Sequence, residues 1–279
     1  MSWFYQNDND YLTSGYRIEK ELFSEKSPFQ TVKVVETIPF GKMLIIDDFI
    51  MVTERDEFVY HEMISHIPIA LHQSPKRVVV IGGGDGGTVR ELLKHPEIKE
   101  IILCEIDSVV VEASKKYFPE IASGLSDPRV RVHIGDGIAY IKTLKDEMDV
   151  IIVDSTDPIG PGEGLFTSDF YRSTARALRE GGLLVAQSEC PWFEGQILKR
   201  IYNNIAAGFS HIHPYTAPIP TYQRGYWSWT LASNTGDIFS RLDPEKIRRL
   251  DAGLSFVQSA NLMSYFTLPP FYKKKLELH

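Results

Sequence analysis

The stretch RVVVIGGGDGG (residues 77–87) decides the fold class, because it joins a short β-branched run to a glycine-rich loop that opens a helix. Gly82, Gly84 and Gly87 fit the pattern G-x-G-x-x-G directly after a predicted strand, and a helix is predicted from Thr88 to Lys94. This order is typical of α/β folds that bind a nucleoside at the end of the first strand. Taken alone, the pattern fits binders of dinucleotides and of S-adenosyl compounds equally well.

Strands and helices alternate after this stretch. Four further apolar runs predict strands, each followed by a segment of helical periodicity: EIILCEID (100–107), RVRVHIG (129–135), DVIIVD (149–154) and GGLLVAQS (181–188). WSWTLAS (227–233) is interpreted as a late strand at the edge of the sheet. The alternation predicts an α/β fold with a mostly parallel sheet that helices cover on both faces.

Residues 1–56 follow a different pattern. FQTVKVVETI (29–38), KMLIID (42–47) and FIMVT (49–53) are short β-rich pieces separated by turn residues, which indicates hairpins. Helical spacing of apolar residues begins at Glu57. We therefore predict an N-terminal β-hairpin domain of residues 1–56 and a catalytic α/β domain of residues 57–279.

The composition excludes several classes of protein. The chain carries 30 Lys and Arg against 37 Asp and Glu, a net charge of -7, which argues against a nucleic-acid partner. Cys104 and Cys190 are too few for a disulfide framework or a Cys-rich zinc site. No apolar run approaches the ~18–20 residues that cross a bilayer, and MSWFYQNDND at the N-terminus has no apolar signal core. We expect a soluble, cytoplasmic protein with no membrane partner.

Three acidic residues near the glycine-rich loop favour a nucleoside without phosphate. Asp85 lies inside the loop, where it would repel a pyrophosphate and attract the positive charge of a sulfonium nucleoside. Glu105 ends the next strand, at the distance expected for an acid that holds ribose hydroxyls. Asp136 follows the third strand in GDG (135–137) and could accept a hydrogen bond from an adenine amino group; a simple Asp-Gly turn is the alternative.

Two more acids lie at the predicted edge of the sheet. Asp154 ends the strand DVIIVD, and Asp157 follows three residues later in the Pro- and Gly-rich segment STDPIGPGEGLF, which is typical of a lid. A helix cap or a turn would also explain this pair. Together with Asp85, however, the two carboxylates surround one nucleoside pocket. They indicate a substrate with several positive charges, and a polyamine enzyme is the first hypothesis.

Aromatic side chains complete the candidate site. Tyr60 and His61 lie in ERDEFVYHEM (54–63), where the two predicted domains meet, and Tyr222 lies in the Pro-bounded loop PIPTYQRGYWSW (218–229). A tyrosine suits a diamine, because its ring face contacts methylenes and its hydroxyl lies near an amine. A single Tyr is more often a packing residue, and a single His is more often structural than catalytic.

The motifs FVYHEM, GGGDGG, CEID, GDG, DSTDP and PTY, in this order and spacing, resemble the spermidine synthase family of polyamine aminopropyltransferases. The resemblance runs from near the N-terminus to at least Ser233. It implies a Rossmann-like, methyltransferase-type domain with a small N-terminal β domain, assembled as a homodimer or homotetramer. It further implies transfer of the aminopropyl group of decarboxylated S-adenosylmethionine to putrescine, which gives spermidine and methylthioadenosine. Because that nucleoside is a co-substrate, no cofactor and no metal are expected.

The resemblance also implies roles for individual residues. The residues expected to bind the nucleoside are Gln30, Gly82, Gly84, Asp85, Glu105, Asp136 and Gly137. The residues expected to bind the amine are Tyr60, His61, Asp154, Asp157, Gln187 and Tyr222. Glu105 would hold the ribose, Asp136 the adenine and Asp85 the aminopropyl ammonium. Asp154 would be the catalytic base with Tyr60 beside it. One departure is the pair Gln223-Arg224 after PTY, where family members often have Pro and a small residue.

The chemistry expected of this set is a direct displacement. A protonated amine has no lone pair, so Asp154 would first take a proton, and the amine would then attack the methylene next to sulfur in line. Three other classes of protein fit the sequence less well. Ordinary S-adenosylmethionine methyltransferases would place the methionyl carboxylate against uncompensated acids. The loop charge disfavours an NAD oxidoreductase, and the intact acid set disfavours a non-catalytic nucleoside-binding module. The sequence leaves open whether putrescine, cadaverine, agmatine or spermidine is the preferred amine.

Overall fold

The computed structural model of the chain describes residues 2–157, 160–192, 195–222 and 225–278. Its N-terminal part is an antiparallel meander of five strands, which pair in the order of the sequence. These strands are β1 (Ser2–Asn9), β2 (Leu12–Lys26), β3 (Thr31–Thr37), β4 (Gly41–Ile46) and β5 (Phe49–Thr53). Turn residues between short β-branched runs produce this hairpin pattern.

The remainder forms a seven-stranded, mostly parallel sheet. Its strands are β6 (Arg77–Gly82), β7 (Glu100–Glu105), β8 (Val130–Ile134), β9 (Met148–Asp154), β10 (Leu178–Gln187), β11 (His211–Ala217) and β12 (Trp227–Ser233). They are ordered β11-β12-β10-β9-β6-β7-β8, and only the pairs that involve β12 are antiparallel. The chain runs outward from β6 to β8 and returns on the other side of β6 as β9. This reversal is the switch point at which open α/β sheets bind ligands.

Helices cover both faces of this sheet, as the alternation predicted. They are α1 (Glu57–Leu71), α2 (Gly87–Leu93), α3 (Ser108–Tyr117), α4 (Gly137–Thr143), α5 (Ser168–Ala177), α6 (Gly195–Ala206), α7 (Glu245–Arg248) and α8 (Pro270–Leu276). Successive residues of the central strands enter opposite cores: Val80 belongs to the core that includes Met63 and Ile67 of α1, whereas Ile81 belongs to the core that includes Phe170 of α5. Burial on both faces explains why these strands read as continuous apolar runs. None of the described helices is long and apolar enough to cross a membrane.

Two details of the sheets differ from the predictions. The segment WSWTLAS does form β12, but the prediction that it is an edge strand is wrong, because it lies between β10 and β11. The edge is β11, which contains Pro214; proline interrupts a β pattern in the sequence and is tolerated on an edge strand. Strand β1 was also not predicted, although Phe4 and Gln6 are buried and Trp3 and Tyr5 are exposed in strict alternation.

The two sheets meet beside the switch point. Val34, Leu44 and Val52 of the N-terminal sheet pack against Val110 and Ala113 of α3. A hydrogen bond from Ser27 Oγ to Asp107 Oδ2, at 2.7 Å, ties the turn between β2 and β3 to the beginning of the same helix. This contact closes the space above the carboxyl ends of the parallel strands and creates a cavity there.

Candidate active site

One cavity lies between the carboxyl ends of β6, β7 and β9 and the N-terminal sheet. The 13 site residues expected from the sequence all line this cavity, and they come from both parts of the chain. They are Gln30, Tyr60, His61, Gly82, Gly84, Asp85, Glu105, Asp136, Gly137, Asp154, Asp157, Gln187 and Tyr222. Gly82 pairs in register with Asp154, so the glycine-rich loop and the predicted base begin side by side at the switch point.

Two glycines of the loop make room for charged side chains. A Cβ atom at Gly84 would lie 2.8 Å from Glu105 Oε2, and the Gly84 N–H donates to that same oxygen at 3.2 Å. A Cβ atom at Gly87 would lie 2.2 Å from the His61 ring. Both distances are shorter than real Cβ contacts, so a side chain at either position would displace its neighbour. The glycine pattern here therefore allows the loop to pack against a carboxylate and an imidazole, as well as to turn.

The part of the cavity at the ends of β7 and β8 holds two acids. Glu105 is buried, and burial is the main cause that raises its pKa to about 7, although N–H groups of Asp107 and Gly84 donate to it. Asp136 caps α4 by accepting a hydrogen bond from Ile138 N on Oδ1 at 2.7 Å. One oxygen of Asp136 thus has a capping role that the sequence did not predict, and the residue also lines the cavity.

Asp154 has the environment expected of a proton acceptor. It is buried at the end of β9, and its Oδ2 accepts a hydrogen bond from Thr88 Oγ1 at 2.6 Å. Burial, followed by the negative charge of Asp85, raises its pKa to about 6, against the opposing effects of His61 and of hydrogen bonds from Thr88 and Tyr60. At neutral pH the carboxylate is therefore ionised and still basic enough to take a proton.

Asp85 is not the uncompensated charge that the sequence suggested. Its Oδ1 lies 3.1 Å from His61 Nε2 and accepts the Gly87 N–H at 2.7 Å. Burial lowers the pKa of His61, but the carboxylates of Asp85 and Glu57 outweigh it and raise this pKa to about 10. Burial has the opposite effect on Asp85 and raises its pKa, but the positive charge of His61 brings this pKa below the usual value. His61 is therefore a cation that belongs to the wall of the cavity.

Aromatic rings form part of the cavity wall. The rings of Tyr60 and Tyr222 meet edge to face at 5.8 Å, and Trp227 packs on Tyr222 at 4.8 Å. The Tyr222 hydroxyl donates to the Met51 carbonyl at 2.5 Å, so its partner is the N-terminal sheet. The hydroxyl proton is therefore used within the protein, and the ring of Tyr222 lines the cavity. Gln223 and Arg224 lie outside the described residues.

Gln187 supports the segment that follows Asp154. Its Nε2 donates to the carbonyls of Ser155 and Thr156, both at 3.4 Å, and to Glu189 Oε1 at 3.3 Å. These contacts hold the backbone between the two acids Asp154 and Asp157. Gln187 thus reaches the cavity mainly as a support of this segment.

Several residues of the site were not predicted. Gln6 and Trp227 line the cavity, Thr88 binds Asp154, and Glu57 binds His61. The alternation of β1 could have indicated Gln6, and the spacing of four between Glu57 and His61 could have indicated a helical pair. The contact between Thr88 and Asp154 depends on how β9 lies beside β6, and no local pattern in the sequence predicts that arrangement.

Comparisons with known proteins agree with this geometry. Residues 57–241 match the family model described as "Spermine/spermidine synthase domain", and residues 2–54 match "Spermidine synthase tetramerisation domain". A polyamine aminopropyltransferase of Desulforudis audaxviator is 48% identical over 88% of this chain and 89% of its own. The corresponding protein of Thermoanaerobacter sp. (strain X514) is 44% identical over 97% of each chain.

Two crystal structures are similar over the whole chain. Spermidine synthase in complex with the transition-state analogue AdoDATO has a TM-score of 0.97 and 38% identity, covering 100% of this chain and 96% of that one. Spermidine synthase from Thermotoga maritima has a TM-score of 0.93 and 36% identity, covering 100% and 95%.

Proposed function

The chain belongs to the spermine/spermidine synthase family, and from this premise we propose that it transfers the aminopropyl group of decarboxylated S-adenosylmethionine to putrescine. The products are spermidine and methylthioadenosine. The observation that carries the proposal is the shared cavity. In it, Asp85, Asp154 and Asp157 can receive a polycation, while Glu105 and Asp136 can receive a nucleoside.

The proposed position of the nucleoside follows from the two acids at the β7 and β8 ends. Glu105 would accept hydrogen bonds from the ribose hydroxyls, and the second oxygen of Asp136 would accept one from the adenine amino group. Asp85 would bind the ammonium of the aminopropyl group. In this position the methylene next to sulfur would face Asp154.

The proposed reaction is a single displacement. Asp154 takes one proton from the attacking ammonium of putrescine, and the freed nitrogen attacks the methylene bound to sulfur. The C–N bond forms as the C–S bond breaks, and the electron pair of that bond stays on sulfur in neutral methylthioadenosine. The sulfonium is already an activated leaving group, so the residues mainly orient the reactants, a contribution worth ~7–11 kcal/mol when alignment is good.

The proposed amine site would favour putrescine. Asp157 would bind the distal ammonium, and the rings of Tyr60 and Tyr222 would contact the methylenes. Each buried methylene contributes ~0.8 kcal/mol, whereas a misplaced ammonium loses a charge-assisted hydrogen bond of ~1.5–3 kcal/mol. The charge contribution is larger, so the distance between Asp154 and Asp157 would select the chain length.

An amine panel tests this function. The enzyme is incubated with decarboxylated S-adenosylmethionine and, separately, putrescine, cadaverine, agmatine and spermidine, and kcat/KM is compared. We expect putrescine to give the highest value. A higher value for cadaverine or agmatine would refute the assignment to putrescine while leaving aminopropyl transfer in place.

We also propose that the chain forms a homo-oligomer through the N-terminal sheet. The match of residues 2–54 to a tetramerisation domain supports this, as do Trp3 and Tyr5, which stack at 6.3 Å on the outer strand β1 and are more than half exposed. Light scattering should give a mass that is a multiple of 31.7 kDa, and Trp3→Ser should lower it. A monomeric wild-type protein would refute the proposal.

A further inference from the structure

A chain of buried charges leads from the cavity into the protein. Arg90 of α2 donates from both of its terminal nitrogens to Glu57 of α1, at 2.9 Å each. Glu57 in turn binds His61 Nδ1, and His61 Nε2 faces Asp85. The side chains of these four residues are between 2% and 20% exposed. None of the roles proposed above uses Glu57 or Arg90.

The geometry fixes the protonation state of His61. Each of its two ring nitrogens faces a carboxylate, and an ionised carboxylate can only accept hydrogen bonds. Both nitrogens must therefore donate, which requires an imidazolium. Burial raises the pKa of Glu57, but the hydrogen bonds and positive charges of His61 and then of Arg90 bring it below the usual value, so Glu57 stays ionised.

This imidazolium lies where two acids crowd each other. One ring nitrogen of His61 and one carboxylate oxygen each of Asp85 and Asp154 all lie within 4.8 Å of one another. Two carboxylates at such a distance do not readily stay ionised together unless a cation lies beside them. Tyr60 of α1 also faces this group and is neutral, since burial and the nearby acids raise its pKa far above the usual value. Apart from Arg90, which lies behind Glu57, His61 is thus the cation nearest the two acids among the described contacts.

We propose that the Glu57–Arg90 ion pair tunes the catalytic base: it holds His61 as a permanent imidazolium, which lets Asp85 and Asp154 remain ionised side by side. The inference rests on the proposed function, because it gives Asp154 the role of proton acceptor. Glu57 and Arg90 are positioning residues that act through His61. With the imidazolium present, the base is available at neutral pH before any substrate cation enters.

Glu57→Gln tests the proposal by removing the second carboxylate of His61. Loss of the nearby positive charge should raise the pKa of Asp154, so the acid limb of the kcat/KM profile should move upward by about one to two pH units. At pH 6.5, starting from a pKa of about 6, this corresponds to a loss of about three- to 25-fold, and the loss should diminish as the pH rises. Arg90→Gln should move the limb in the same direction by less, and it supplies a second variant should Glu57→Gln fail to fold.

A matched control lies on the same helix. Glu62 of α1 is also a buried carboxylate, but it accepts hydrogen bonds from the N–H groups of Ser255, Phe256 and Val257, away from the cavity. Glu62→Gln should lower stability and leave the acid limb in place. If Glu62→Gln lowers kcat/KM, it should do so by the same factor at every pH. If Glu57→Gln behaves in this way too, the Glu57–Arg90 pair is only structural and the proposal is wrong.

A measurement without turnover separates this inference from the proposed function. The His61 imidazole can be titrated by nitrogen NMR in the free enzyme, with its signal assigned by loss in His61→Gln. Wild-type His61 should stay an imidazolium at pH 8.5, and Glu57→Gln should titrate at lower pH. An enzyme that is inactive with every amine but shows this difference would refute the function alone. A neutral wild-type His61 at pH 8.5 would refute the inference alone.

Discussion

Replacing Asp154 by Asn should remove the base and keep the shape of the site. An amide can still accept the hydrogen bond from Thr88 but cannot take a proton at neutral pH. A primary amine with a pKa of ~10.4 is unprotonated in only about one molecule per thousand at pH 7.4. Proton acceptance by a positioned group contributes ~10²–10⁴-fold. We expect kcat to fall by that factor.

The assay has three parts. Formation of methylthioadenosine gives kcat, and calorimetry should show methylthioadenosine binding within a few-fold of wild type, because Glu105 and Asp136 are intact. Asp149→Asn is the matched control. Asp149 is also buried on β9, but it lies at the opposite end of this strand from Asp154 and accepts hydrogen bonds from the N–H groups of Lys76 and Arg77. That control should lower stability and retain kcat.

The pH dependence sharpens the test. Asp154 must be ionised to act, so wild-type activity should be present above pH 6 and fall as the pH drops through the pKa of about 6. The variant should instead gain about tenfold per pH unit between pH 7 and 9, as free amine becomes available. Turnover of Asp154→Asn within tenfold of wild type at pH 7.4 would refute the assignment of the base.

Three further predictions concern the substrates. Asp157→Ala should raise the putrescine KM strongly and flatten the preference among diamines, because the distal ammonium loses its partner; an unchanged ranking of kcat/KM would contradict this. Asp56→Asn should raise the amine KM several-fold with little change in methylthioadenosine affinity. Asp56 accepts hydrogen bonds from Thr221 N at 2.8 Å and Thr53 Oγ1 at 2.6 Å, which fix the loop of Tyr222; an unaltered KM would refute that role. Methylthioadenosine binding at pH 7 should release about half a proton, because ribose hydroxyls favour ionised Glu105, whose pKa is about 7; calorimetry in buffers of different ionisation enthalpy should show it, and a binding enthalpy independent of buffer would exclude it.

The edge of the parallel sheet could be predicted because each acid follows a strand directly. Asp85, Glu105, Asp136 and Asp154 come after four successive parallel strands, and the carboxyl ends of such strands share one edge. Local order along the chain was therefore enough to bring these residues into one cavity. The same reasoning identified the glycine-rich loop.

Contacts between distant segments could not be read in this way. Arg90 reaches Glu57 only because α2 packs beside α1, and that contact changes the charge state of His61 and hence of Asp85. The carbonyl of Met51 accepts a hydrogen bond from the hydroxyl of Tyr222, which lies 171 residues away in the other part of the chain. Such pairs depend on tertiary packing, so the sequence predicted that the acids lie together but misjudged the charge that surrounds them.

The reaction class is tested most directly by counting products. Wild-type enzyme is mixed with putrescine and either decarboxylated or ordinary S-adenosylmethionine, and all products are measured by mass spectrometry. We expect spermidine and methylthioadenosine in equal amounts from the decarboxylated nucleoside and no transfer from the ordinary one. A methylated amine with S-adenosylhomocysteine, and no spermidine, would contradict the account.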